Sequence, residues 1–246
     1  MTATVEPVRA GSGAMFDGIA RRYDLLNRVI SLGIDRSWRR RAVALLELGV
    51  QRAEGEPARV LDVATGTADL AIEISRLVPG SIVVGLDPSV GMLEVGRKKL
   101  HKLGIEARVT LVEGEAESLP FADASFDGAT IAFGIRNVAD RPRGLREMRR
   151  VVRPGGRVVI LELSEPERGI MSSLAKLHIH GIVPAVGGLL SGSREYRYLQ
   201  ASIAAFPSPE RFADLMREAG LEISEIAKLT FGVAHIFVGR RPVAED

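Results

Sequence analysis

From Ala58 to Leu163 the chain alternates short β-branched runs with longer segments of helical period, and few folds accommodate that alternation. Residues 59–64, 81–87, 108–113, 126–132 and 157–163 read as strands. Helices are expected over 67–77, 90–103 and 143–152, the last stopped by Pro154-Gly155-Gly156. A strand that returns to its sheet through a helix does so by a right-handed crossover, so the units wind helices onto both faces of a parallel sheet. A further helix near 209–219 precedes two runs, 222–229 and 233–239, joined by Thr230-Phe231-Gly232. Those runs read as an antiparallel hairpin at the sheet edge. The expected fold class is therefore α/β, a mostly parallel seven-stranded sheet with an antiparallel edge hairpin.

A chain of 246 residues suits one such domain with decorations. Residues 1–13 have no apolar h-region and read as a flexible start, leaving 14–246 as the domain. Within it, 14–52 reads as short helices, with N-caps at Asp17, Asp24 and Asp35 and stops at Gly33 and Gly49. Residues 169–205 read as a helical insertion, or lid. Cysteine is absent, which excludes a thiolate nucleophile, a Cys-ligated zinc site and an iron–sulfur cluster, and suits a reducing cytoplasm. The formal charge of +2 is too small to mark a nucleic-acid footprint. The most apolar stretch, 181–190, is about half a bilayer span and is broken by Pro184 and Gly187-Gly188.

The run Val60-Leu61-Asp62-Val63-Ala64-Thr65-Gly66-Thr67-Ala68-Asp69-Leu70 is a buried strand passing through a small-residue turn into a helix, the context of a nucleotide-binding loop. Gly66 lets backbone approach a ligand, and Thr67 offers an N–H and a hydroxyl at a helix N-terminus. Asp62 ends the strand beside them. Asp87, 21 positions after Gly66, closes the second strand, where a carboxylate accepts hydrogen bonds from both ribose hydroxyls of an adenosine. A dinucleotide fingerprint needs three glycines around a pyrophosphate, and Ala64-Thr65-Gly66-Thr67-Ala68 keeps one. A cofactor without phosphate, S-adenosylmethionine, fits better than NAD. Glu115 and Ala116, after the third strand, sit where the adenine ring would lie.

With those residues in view, the chain resembles the menaquinone/ubiquinone biosynthesis C-methyltransferases, the demethylmenaquinone methyltransferase family. The resemblance runs nearly end to end, from Met15-Phe16-Asp17-Gly18 and Tyr23-Asp24-Leu25-Leu26-Asn27, through Trp38-Arg39-Arg40, the cofactor loop and Gly85-Leu86-Asp87-Pro88-Ser89. It continues through Phe133-Gly134-Ile135-Arg136-Asn137-Val138, Arg153-Pro154-Gly155-Gly156 and Tyr196-Arg197-Tyr198-Leu199. It implies a Rossmann-like class I S-adenosylmethionine-dependent methyltransferase whose cofactor-binding positions include Thr67, Asp87, Glu115 and Ala116. Ala68 stands where the family usually has glycine, a substitution that is costly if φ is positive there. Glu115 replaces a more usual Asp or Asn, and Ala132 a frequent Ser.

The resemblance also implies methyl transfer to a ring carbon of a prenylated quinol, demethylmenaquinol before a benzoquinol, without a metal and without nucleic acid. A ring carbon becomes nucleophilic when the adjacent hydroxyl loses its proton, so the site must stabilise a phenolate. Arg136, at the carboxyl edge after the fourth strand, and Tyr23, among the opening helices, are the expected catalytic residues. Arg136 would otherwise be a loop anchor paired with Asp140 or a neighbouring acid. The prenyl tail implies a peripheral contact with the membrane surface, with residues 170–190 and Trp38-Arg39-Arg40-Arg41 as the candidate contacts. His178 and His180 are two apart, so on a helix they diverge and read as lid residues. Competing readings are another small-molecule methyltransferase, acting on a sterol, phospholipid amine or phenol, and a non-catalytic cofactor-binding module.

Overall fold

The structure is a computed structural model, and it describes residue 17 and residues 33–48, 56–164 and 193–243, with 193–197 by backbone alone. The expected N-cap at Asp24 and stop at Gly49, the opening helices up to residue 32 apart from residue 17, Tyr23, and residues 169–192 of the expected insertion with His178 and His180 lie outside these residues.

Helix α1 (Asp35–Ala44) leads to β1 (Arg59–Val63), α2 (Asp69–Leu77), β2 (Ile82–Asp87), α3 (Val90–Leu103), β3 (Val109–Glu113), β4 (Phe126–Ala132), α4 (Arg141–Val151) and β5 (Val152–Leu163). Helices α5 (Ser193–Ala204) and α6 (Pro209–Glu218) precede β6 (Glu222–Leu229) and β7 (Ala234–Arg240). The strands form one sheet in the order β3-β2-β1-β4-β5-β7-β6. β1 to β5 pair in parallel, and β7 runs antiparallel to both neighbours. The edge hairpin expected from the short 230–232 connection is thus inserted beside β5, with β6 outermost.

Alternation along each strand builds two cores, because successive side chains point to opposite faces. On one face, Val60, Val83 and Leu161 pack under Trp38 of α1, Ile74 of α2 and Leu93 of α3. On the other, Leu61, Ile131, Ile160 and Phe237 pack under Leu145 and Met148 of α4 and Phe212 of α6. Asp62 shares the face of Val60, whereas Glu162 shares that of Ile160.

Two expected capping and stop signals act differently in the structure. Asp35 is the first residue of α1 and not its N-cap, which is Ile34; the Asp35 carboxylate instead faces Arg39 one turn on, at 3.5 Å. Pro154-Gly155-Gly156 was expected to stop α4, but α4 already ends at Val151 and the three residues bulge within β5. There the pairing jumps from Phe126↔Val152 to Gly128↔Arg157. Gly155, at φ +79°, donates its N–H to Arg241, and Arg241 returns one to Gly156, so the bulge is closed by the C-terminal strand's exit.

Candidate active site

The crevice at the carboxyl ends of β1 and β4 is built by a turn that few sequences can adopt. Ala64, Gly66 and Ala68 all have positive φ, at +49°, +56° and +68°. Alternate left-handed residues curl residues 64–68 tightly between β1 and α2, and the small side chains keep the strain tolerable. Ala68 therefore carries the cost anticipated for a positive φ. Its methyl is fully buried, and a Cβ added at Gly96 of α3 would come within 3.3 Å of it. Glycine on the opposing helix makes room for the extra carbon.

Asp62 lies beneath this turn, 1 % exposed, accepting hydrogen bonds from the Thr65 hydroxyl at 2.6 Å and the Thr130 hydroxyl at 2.8 Å. Burial pushes its carboxyl up to about 6, against the opposing effect of the two hydroxyls and of the Arg39 charge. Thr65 can reach Asp62 because the β2 residue paired with Asp62 is Gly85, where a Cβ would stand 2.8 Å from the Thr65 hydroxyl oxygen.

Asp87 closes β2 as expected. One carboxylate oxygen accepts the Gly66 N–H at 2.8 Å and the other the Ser89 N–H at 2.9 Å. Each oxygen retains one lone pair, enough for two ribose hydroxyls. Burial raises its pKa, opposed by the two backbone donors, with the Asp17 charge adding to the rise. Asp17 caps the neighbouring helix from outside: its Oδ1 accepts from the Ser89 hydroxyl and from the Gly91 N–H at the start of α3. The loop after β3 abuts the same place, Gly114 donating its N–H to the Asp87 carbonyl. Beyond it Glu115 is exposed and Ala116 is buried against the α4 side.

Thr67 lines the pocket and also ties two helices together. Its hydroxyl accepts from the Lys99 ammonium at 2.8 Å, and Lys99 also pairs with Asp69 at 2.6 Å. The hydroxyl ties α3 to the start of α2. A pocket remains between Asp62, Thr65, Gly66, Thr67, Ala132 and Arg39.

Arg136 stands in a short turn after β4, only 7 % exposed. Its Nη1 donates to Glu162 at 2.5 Å and to the Phe133 carbonyl at 2.6 Å. Glu162 is completely buried and also accepts the backbone N–H groups of Arg136 and Leu163. The acid partner is thus Glu162 and not Asp140, which caps α4 by accepting from Arg143. Helix α5 lies against this turn, Tyr198 donating its hydroxyl hydrogen to Asn137 at 3.0 Å. Sequence reasoning missed Glu162, although an acid between Val158-Val159-Ile160-Leu161 and Leu163 was a visible signal.

The basic helix does not present the face expected of it. Trp38 and Arg39 are buried, Trp38 donating its indole N–H to Thr230, while Arg40 and Arg41 pair with Glu73 and Glu225. α1 packs on α2 and β5, which turns its Trp-Arg edge inward.

The model of the ubiE/COQ5 methyltransferase family matches residues 6–241. The chain belongs to that family. It is 46 % identical over 228 residues to the ubiquinone/menaquinone biosynthesis C-methyltransferase UbiE of Geotalea uraniireducens, covering 92 % of this chain and 94 % of that one. To the demethylmenaquinone methyltransferase of Thermus thermophilus it is 46 % identical over 229 residues, covering 93 % and 100 %. Among solved structures it is similar to an S-adenosylmethionine-dependent methyltransferase of Aquifex aeolicus, with a TM-score of 0.57, 19 % identity and coverage of 80 % and 87 %. It is also similar to the [4+2]-cyclase SpnF, at TM-score 0.67, 19 % identity and coverage of 95 % and 96 %. The methyltransferase thus has the Rossmann-like class I fold, and a cyclase on the same fold shows that fold alone does not name a reaction. No helix among the described residues is long and apolar enough to cross a membrane.

Proposed function

We propose that this methyltransferase moves the methyl group of S-adenosyl-L-methionine to a ring carbon of a prenylated quinol, demethylmenaquinol first. The observation that carries the reading is the match of residues 6–241 to the family, joined by near-complete coverage of relatives named for this chemistry. The site residues fit the cofactor. Asp87 has one acceptor position left on each oxygen for the ribose, the left-handed turn at Gly66 brings backbone beside it, and a pocket continues past Thr65 toward Ala132. When bound, the cofactor supplies a methyl group on a sulfonium, already electrophilic, so the protein has chiefly to orient and to exclude water.

In this reading Asp62, Gly66, Thr67, Asp87, Glu115 and Ala116 form the cofactor side. Thr67 stands in the pocket wall, its hydroxyl accepting from Lys99. Arg136 and Tyr23 belong to the acceptor side. Arg136 keeps its proton at any working pH, so its part is to stabilise phenolate charge, tempered by Glu162. The prenyl tail requires a peripheral membrane contact. With Trp38 and Arg39 buried, the proposed contact is residues 170–190.

The test is direct. Purified protein, labelled cofactor and either demethylmenaquinol or the corresponding benzoquinol are incubated in detergent. Label in the naphthoquinol ring supports the proposal, label in the benzoquinol alone moves the enzyme to the other pathway, and label in neither refutes the acceptor class.

A further inference from the structure

Asp17 holds neither cofactor nor acceptor in the reading above, yet it is built into the rim of the ribose site. Its Oδ1 accepts from the Ser89 hydroxyl at 2.6 Å and from the Gly91 N–H at 2.8 Å, across 72 and 74 positions of chain. Ser89 is fully buried, and its own N–H holds one oxygen of Asp87, the carboxylate assigned to the ribose. One residue thus joins two acids, through its backbone to Asp87 and through its hydroxyl to Asp17. The Asp17 charge is felt at Asp87, where it adds to the rise in pKa.

A glycine keeps this seat open. A Cβ added at Gly91 would stand 2.9 Å from Asp17 Oδ1 and 3.2 Å from the Asp17 Cα, and its three nearest neighbours all belong to Asp17. Gly91 lies in the first turn of α3 without the left-handed φ that calls for glycine, and alanine is the better helix former there. The missing Cβ is explained by the close approach of the Asp17 backbone, which cannot rotate away as a flexible side chain can. Six positions on from Asp17 the chain reaches Tyr23, assigned above to the acceptor side.

We propose that Asp17 is a positioning residue that couples the two substrates: seated on Ser89 and Gly91, it ties the segment carrying Tyr23 to the turn that holds the ribose carboxylate. This rests on the cofactor and acceptor assignments and deepens them. A ligand that fixes Asp87 fixes Ser89, and with it the seat of Asp17. By linkage, an acceptor that holds the opening segment in place tightens the cofactor by the same factor. A helix cap of purely structural use would steady α3 and leave the two ligands indifferent to each other.

The experiment measures that factor in the full chain. S-adenosylhomocysteine is titrated calorimetrically in detergent, with and without saturating menaquinol of short prenyl chain kept reduced, and menaquinol is also titrated alone. Wild-type protein should bind S-adenosylhomocysteine at least about fivefold tighter when menaquinol is present. Gly91→Ala favours the helix while expelling Asp17, so its urea midpoint should stay near that of wild type while the factor falls to within about twofold of one. Asp17→Ala should lose the coupling likewise, and the double variant should be no worse than either single change, since both remove one contact. Asp17→Asn, which keeps the accepting oxygen, should restore most of the coupling. A wild-type factor of one, or a factor undiminished in Gly91→Ala, overturns the proposal. Wild-type protein that binds no S-adenosylhomocysteine overturns the cofactor assignment instead, and wild-type protein that binds it but no menaquinol overturns the acceptor assignment.

Discussion

Replacing Arg136 by Gln tests the acceptor side, but burial makes the single change ambiguous. Glu162 is wholly enclosed and takes three hydrogen bonds, one from the guanidinium and two from backbone N–H groups. Arg136→Gln leaves its charge buried with the backbone donors alone. Breaking a buried pair from one side costs about 3–5 kcal/mol, a large share of the roughly 5–15 kcal/mol that holds a domain folded. Activity would fall whether or not Arg136 acts on the acceptor. The informative protein is Arg136→Gln with Glu162→Gln, in which no charge is stranded. Urea unfolding should show most of the lost stability regained, the two changes being strongly non-additive. If the cation stabilises phenolate, turnover with demethylmenaquinol stays depressed by about a hundredfold in that double variant, with affinity for S-adenosylhomocysteine unchanged. A double variant that recovers both stability and turnover assigns Arg136 to the scaffold.

Asp87→Ala should abolish measurable binding of S-adenosylhomocysteine in calorimetry, and cost roughly 1–3 kcal/mol of stability because the Gly66 and Ser89 N–H groups lose their acceptor; unchanged affinity would remove Asp87 from the site. Asp62 makes stability depend on pH: its folded value, about 6, lies above the ordinary 3.8, so the native state binds the proton more tightly. Its stabilising contribution is complete below about pH 4 and is lost as pH rises through 6, by about 3 kcal/mol at most. Asp62→Asn should flatten that part of a urea-midpoint profile, and an identical profile would contradict the assignment. Ala68→Gly exchanges left-handed strain of about 1 kcal/mol against a buried methyl worth about 0.8 kcal/mol and a looser unfolded chain. It should therefore change stability by less than about 1 kcal/mol, whereas Ala68→Val, β-branched and pressed toward Gly96, should lose at least about 2 kcal/mol. Equal unfolding midpoints for the two variants would show that the turn is not strained.

By itself the sequence determined the strands, the helices and the sheet class, because these follow from periodicity and turn chemistry within a dozen residues. Four of the five parallel strands lie within one residue of their expected bounds; β5 differs only by reaching back to Val152 through the glycine bulge. The placement of Asp62 and Asp87 at strand ends and of Gly66 in a tight turn was legible for the same reason, since these are local features. What tertiary structure alone decided is which charges are buried and against what. Glu162 meets Arg136 across 26 positions, and Asp62 meets Thr130 across 68. Lys99 claims the Thr67 hydroxyl from another helix, and Arg39 turns inward because α1 packs on α2 and β5. A run of basic residues has the same polarity in the sequence whichever edge of its helix is covered. The cost of burying a charge depends on the groups that surround it in space, and those come from parts of the chain that no local pattern brings together.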